Sequence, residues 1–130
     1  MLDTNLCIRV LRDRPKSLRA RFSAEAAALS VSSIVAYELF VGAEKSAAPR
    51  EVRHEVERFL ARLEVLVFDE PAAAHAAEIR ATLERRGTPI GPHDALIAGH
   101  ARSRGLVVIT GNLGEFGRVE GLRCEDWLPS

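Results

Sequence analysis

The stretch Pro92-His93-Asp94-Ala95-Leu96-Ile97-Ala98-Gly99-His100-Ala101-Arg102-Ser103-Arg104-Gly105-Leu106-Val107-Val108-Ile109-Thr110-Gly111-Asn112 decides how this chain is read. Proline near its start and Gly105 just past Arg104 bound a helix over 92–104. Leu106-Val107-Val108-Ile109 follows, apolar at every position. It is too short for a helix and lacks the alternation of a half-exposed strand, which predicts a strand buried on both faces. Working upstream, Pro71 to Arg86 reads as a helix stopped by Gly87, and Val65-Leu66-Val67-Phe68 as a second short buried strand. Pro49 opens a helix to about Leu63 with a mixed-charge outer face. Ser30–Ser33 reads as a strand running into a helix from Ile34 to Ser46. Pro15 restarts a helix through about Leu29, where Leu18, Phe22, Ala26 and Leu29 recur at helical spacing. Asn5–Leu11 is a turn or two of helix, and Met1-Leu2 the end of a very short strand. Downstream, a final short strand falls around Leu122–Cys124. Apolar strands alternating with helices predict an α/β fold with a parallel sheet covered on both faces. Chemistry in such a fold gathers beyond the carboxyl ends of the strands, where strand order reverses.

The 130 residues suit one domain spanning 1–130. Neither a run of about 18 apolar residues nor a basic segment leading into an apolar one is present, so a cytoplasmic protein without a membrane span is expected. Cys7 and Cys124 lie far apart without metal-type spacing and read as free, buried thiols. Basic and acidic residues balance at 18 each, so net charge does not announce a nucleic-acid binder. Their distribution says more: Arg9, Arg12, Arg14, Lys16, Arg19 and Arg21 face only Asp3 and Asp13 in the first 21 residues. A phosphate-binding face would have this pattern, and so would a solvated helix.

Several acids stand where solvated surface is not expected. Asp3 directly follows the first strand, where capping the next helix would explain it equally well. Glu38 falls between Ile34 and Val35 on its helix, with Val41 and Gly42 on the next turn, so it sits within the apolar arc. A carboxylate there needs either an arginine partner or a cation. Asp94 opens its helix, where negative charge is favourable, yet shares a face with Ile97, Ala98 and Ala101. Thr110-Gly111-Asn112 follows the clearest strand, with Glu115 just beyond; a plain turn has this composition too. Each acid alone has an ordinary explanation. Convergence of several on one rim does not, because like charges need a cation between them, and oxygen donors without a cysteine or paired-histidine set suit Mg²⁺ or Mn²⁺. Such ions commonly serve phosphodiester cleavage.

Asp3-Thr4-Asn5, Tyr37-Glu38-Leu39, Ile90-Gly91-Pro92-His93-Asp94-Ala95-Leu96-Ile97-Ala98-Gly99-His100-Ala101 and Thr110-Gly111-Asn112 with Glu115-Phe116 together resemble, in order, the four motifs of PIN-domain nucleases in their VapC-toxin form. Arg118–Leu122 and Glu125-Asp126-Trp127 are similar to the usual ending. The resemblance implies a PIN-like fold with five parallel strands in the order 3-2-1-4-5, a homodimer, and a VapB-type antitoxin that blocks the site. It also implies Mg²⁺- or Mn²⁺-dependent endonucleolytic cleavage of structured RNA, often transfer RNA, leaving 5′-phosphate and 3′-hydroxyl ends. On that basis Asp3, Glu38 and Asp94 hold the metal, with Asn112 or Glu115 completing the set, and Thr4, Asn5 and Thr110 orient the ligands. The chain departs from the pattern in three places. Its first strand has only two residues before Asp3, Asn112 stands where many relatives have Asp, and Gly111 stands where Asn is common.

Other readings remain to be weighed. A phosphoacceptor receiver domain needs adjacent acids after its first strand and a late lysine, whereas this chain has no lysine beyond Lys45. A catalytically inactive PIN scaffold that only binds, or a PIN nuclease acting on DNA, is the closer alternative. His93 and His100, seven apart, are expected to pack or hydrogen-bond and not to form a zinc pair. His54 and His75 read as surface or boundary residues, and Trp127 as packing against the domain or a partner copy. With 5% aromatic residues, RNA would be held mainly through backbone and shape.

Overall fold

A computed structural model describes residues 1–128. The first helix, α1 (Thr4–Arg12), is capped by Asp3, whose Oδ1 accepts the Leu6 N–H at 2.8 Å. Leu6, Cys7 and Val10 are its buried face, and Arg9 and Arg12 lie on its exposed one. Asp13 closes it in the left-handed region at φ 52°. Helix α2 (Leu18–Glu25) is shorter than periodicity suggests at both ends. Ser17 enters it at φ 87°, and Ala26–Ala28 tighten into a 3₁₀ turn before the chain extends at Leu29.

Strand β1 (Ser30–Ser32) runs directly into α3 (Ser33–Glu44), the Ser32 hydroxyl accepting the Ile34 N–H at 3.1 Å. Helix α4 (Pro49–Leu60) precedes β2 (Glu64–Leu66), and α5 (Glu70–Arg85) is capped by Asp69. Helix α6 (Pro92–Ser103) begins at the expected proline, and Gly105 at φ +66° turns the chain after it. Then come β3 (Val108–Ile109), a four-residue helix α7 (Leu113–Phe116) and β4 (Cys124–Glu125). Helix α7 is unforeseen, since Thr110–Asn112 reads as a turn; Asn112 caps it instead, its Oδ1 accepting the Glu115 N–H.

Pairing is parallel throughout, as the α/β reading requires, but the regular ladders are short. Strands β1 and β2 form one sheet with Val31 opposite Val65, and β3 and β4 another with Val108 opposite Cys124. Between them runs Met1–Leu2, too short to be more than an isolated parallel bridge from Leu2 to Ile109. Leu2 N–H donates to Ser30 O at 2.9 Å, and Asp3 N–H to Ile109 O at 3.1 Å. The expected continuous five-stranded ladder is thus not present as regular strands. Two further expectations need correction. Of Leu106–Ile109 only the last two residues join a ladder. The 65–68 stretch is not a buried strand, since Val65 is 39% and Val67 72% exposed while Leu66 is buried. Among the named strands β2 pairs only with β1, and of its residues only Leu66 turns inward, flanked by exposed Val65 and Val67.

Leu2, Leu6, Val31, Val35, Ile97, Val108 and Phe116 make the fully enclosed centre of the core. Helices α5 and α6 lie against each other at Gly99, where a β-carbon would overlap the Ala76 backbone, so the alanine-rich sequences of both helices serve close approach. His100 is completely buried on the same helix, its Nδ1 2.8 Å from the Ser32 hydroxyl and its ring edge-on to Phe68. Cys7 is buried and Cys124 only half-buried, and both are free thiols. No described helix is long and apolar enough to cross a membrane.

Candidate active site

Asp3 stands at the exit of the first extended segment, 2% exposed, with both oxygens engaged. Oδ1 caps α1, and Oδ2 accepts the Thr110 hydroxyl at 2.5 Å. The capping and functional readings of Asp3 are therefore not exclusive. Thr110 is itself fully buried and ties the end of β3 to the start of α1. Burial pushes the Asp3 carboxyl above the usual range, the Thr110 and Leu6 hydrogen bonds oppose this, the Glu38 charge adds to it, and Arg9 draws it back.

Glu38 comes from the middle of α3, its side chain 21% exposed. Among the described residues no arginine neutralises it. Instead Thr4 donates its hydroxyl to Oε1 at 2.6 Å, and His93 Nδ1 lies 3.2 Å from Oε2. The His93 side chain is 51% exposed and meets Tyr37 edge-on at 6.1 Å. His93 and His100 thus share a helix but not an environment: one stands at the rim, the other in the core.

Asp94 occupies the first turn of α6, and Glu115 lies in α7. Glu115 Oε1 accepts the Gly91 N–H at 3.3 Å, and its Oε2 accepts from Asn112 Nδ2 at 3.1 Å. Asn112 therefore grips Glu115 from both ends, through this bond and through the cap on its backbone N–H. The Asp94 carboxyl is pushed up to about 8 by burial, by a hydrogen bond with Glu115, and by the charges of Glu115, Asp3 and Glu38. Four acids from the α1 cap, α3, α6 and α7 thus feel one another's charge at one rim.

Of the expected site residues, Asp3, Glu38, Asp94 and Glu115 are brought together, with Thr4, Thr110 and Asn112 holding three of them. Asn5 is exposed and, among the described residues, is not one of the hydrogen-bond partners of these acids. The contacts of His93 with Glu38 and of Gly91 with Glu115 escaped sequence reading, although both residues flank Asp94 in the chain. Gly111 lies against Leu128, whose side-chain end would have to shift to admit a β-carbon there.

The chemistry of the donors suits a hard divalent cation: all are oxygens, and no lysine or arginine forms an ion pair with any of the four acids among the described residues. The acid side chains as they stand are engaged by Thr4, Thr110, Asn112, His93 and backbone amides, and no three described His, Cys, Asp or Glu groups close round a point tightly enough to enclose an ion.

A PIN-domain family model matches residues 1–122. The chain is 54% identical over 127 residues to the tRNA(fMet)-specific endonuclease VapC of Salmonella typhimurium, covering 98% of this chain and 96% of that protein. It is 45% identical over 128 residues to Ribonuclease VapC2 of Haemophilus influenzae, covering 98% and 97%. It superposes on DNA-bound VapBC from Salmonella typhimurium with TM-score 0.93 at 53% identity, over 98% of this chain and 97% of that one. VapBC2 from Rickettsia felis, bound to a DNA fragment from its promoter, gives 0.90 at 34% identity over 98% of each chain. With the acids of four separated motifs on one rim and these likenesses spanning nearly its whole length, the chain belongs to the PIN-domain family, as a member of its VapC branch.

Proposed function

We propose that the chain is a Mg²⁺- or Mn²⁺-dependent endoribonuclease toxin whose substrate is a transfer RNA, the initiator tRNA that its 54%-identical relative is named for being the leading candidate. The observation that carries this reading is the meeting of Asp3, Glu38, Asp94 and Glu115 with no arginine or lysine between them. These four carboxylates would hold the ion. When bound, it supplies positive charge that activates water and offsets charge on the leaving oxygen. Thr110 fixes one Asp3 oxygen, Thr4 aims Glu38, and Asn112 aims Glu115, so Asn112 serves the site through Glu115. Cleavage forms a bond from the water oxygen to phosphorus and breaks P–O3′, with a proton passing to the departing 3′ oxygen.

The structure neighbours are complexes with an antitoxin, which supports a VapB-type partner that blocks this rim. We also read Met1–Leu2 as the central member of a sheet in the order 3-2-1-4-5, on the strength of its bonds to Ser30 and Ile109. A homodimer would cover exposed Tyr37, Val65 and Val67. The test is incubation with tRNA and Mg²⁺, mapping new 5′ ends against Asp94→Asn. Cleavage by wild type and none by the variant is expected; equal cleavage by both defeats the assignment. The inactive-scaffold reading draws on the described acids not closing round a point and on Asn112 in place of Asp. Calorimetric titration with Mn²⁺ separates the two, since a dead scaffold shows no saturable heat that Asp94→Asn removes.

A further inference from the structure

The basic N-terminal segment divides into two groups. Arg19 is tied to the backbone, donating to Val10 O at 3.3 Å and Leu11 O at 2.5 Å. Arg21 is paired with Glu25 and Glu125 and lies 4.3 Å over the Trp127 ring. The guanidinium groups of Arg9, Arg12 and Arg14, by contrast, make no ion pair or hydrogen bond among the described residues, and all three are exposed. Elsewhere on the surface Arg53, Arg80, Arg86 and Arg102 each face a glutamate.

These three free cations line one cavity of about 470 Å³, and its other wall includes Asn5, Gly111 and Asn112. Arg9 and Arg12 are three residues apart on one face of α1, which separates them by about 4.5 Å along the axis. Asn5 lies one turn nearer Asp3, and Arg14 follows just past the helix end. A stripe of positive charge thus starts beside the acid rim and leads away from it. The shared wall is Asn112, the residue that grips Glu115. A cluster of carboxylates repels a polyanion, so a nuclease built on one needs compensating cations close by but outside the reacting centre. Guanidinium forks match phosphate oxygens and keep their charge at every working pH.

We propose that Arg9, Arg12 and Arg14 form a track that grips the RNA backbone beside the scissile phosphate, so that one strand runs from the acid rim along the exposed face of α1. This rests on the nuclease reading above. The track sets where the strand lies and not which base is read, because phosphate contacts carry no sequence information.

The test compares wild type with Arg9→Gln/Arg12→Gln/Arg14→Gln and with Arg80→Gln, which removes a charge on α5 that does not line this cavity. Two readouts are taken on the same samples: steady-state cleavage of tRNA with Mg²⁺, and equilibrium RNA binding in EDTA across a salt series. The triple variant should raise KM roughly tenfold or more and leave kcat within about twofold. Its plot of log Kd against log salt should flatten by roughly 2, at about 0.7 per lost contact. Arg80→Gln should change neither. An unchanged salt slope overturns the proposal, as does a fall in kcat at constant KM. Loss of binding to an antitoxin with RNA kinetics intact also overturns it, and makes the cavity a protein interface. Should wild type bind RNA yet never cleave it, the nuclease reading fails, while a flattened slope in the triple variant would still uphold the track.

Discussion

Six surface acids and the four acids of the rim are treated in opposite ways. Glu44 faces Arg53, Glu78 faces Arg102, Glu84 faces Arg80, Glu120 faces Arg86, and Glu25 and Glu125 share Arg21. Among the described residues Asp3, Glu38, Asp94 and Glu115 have only hydroxyls, amides, a histidine and one another. Exposed pairs of the first kind contribute little to stability, about 0–1 kcal/mol each. The second arrangement opposes folding, because burial and repulsion penalise every charge added. On the proposed reading, four crowded acids left without an arginine or lysine partner among the described residues would be held for a ligand of opposite charge.

Removing a bare acid is the strongest way to break the contrast. Asp94→Asn should lower tRNA cleavage by about a thousandfold, about 4 kcal/mol of transition-state stabilisation, yet raise the melting temperature of metal-free protein at pH 8, because it deletes a repelled charge. A melting temperature that falls instead would mean that Asp94 is a structural acid and that the rim is not strained.

The pH dependence sharpens the same point. The Asp94 carboxyl titrates near 8 when folded and near its ordinary value of 3.8 when unfolded, so the folded state binds more protons in between. Its contribution to stability is full below the unfolded value and declines as pH rises through about 8. Metal-free protein should therefore melt progressively earlier from pH 5 to 8. Mg²⁺ should restore more stability at pH 8 than at pH 6, approaching about 2.7 kcal/mol at a hundred times its Kd. Equal rescue at both values would show that the cation binds away from the acids.

A smaller effect is expected at Thr110. Thr110→Val keeps the buried shape but removes the hydroxyl that holds Asp3 Oδ2. That bond opposes the rise that burial imposes on the Asp3 carboxyl, so its loss should move the acid limb of the rate profile to higher pH and cost about 10–100-fold in activity. An unshifted limb would leave Thr110 as core packing only.

Sequence carried the rim better than the sheet, for a physical reason. Glu38 and Asp94 announced themselves by breaking an apolar arc, and Asp3 and Glu115 by following strand-like segments, all of which are local signals. Strand length is not local. Val65–Phe68 and Leu106–Ile109 look alike in composition, but which of their residues enter a ladder depends on what lies beside them, and that is decided by tertiary pairing. Glu38's partner was equally illegible: periodicity says that a buried carboxylate needs company, not that Thr4 and His93 provide it. Asn112 reads as a ligand by motif, whereas its geometry, with both amide atoms turned onto Glu115, is that of a residue that aims another.

The smallest predicted effect tests the other half of the contrast. Glu84 sits one helical turn from Arg80 on α5, both largely exposed, at 2.9 Å. Glu84→Gln removes a charge of the same sign as Asp94→Asn but from a compensated pair, so stability should change by no more than about 0.5 kcal/mol. Cleavage should be unaltered, because no contact joins this pair to the rim. Above about pH 8, where the Asp94 carboxyl is ionised, the two substitutions delete identical charge from a protein whose formal net charge is zero at pH 7, so any account based on overall charge predicts equal outcomes. Only an account based on local compensation predicts that one is nearly silent while the other abolishes cleavage and stabilises the metal-free fold.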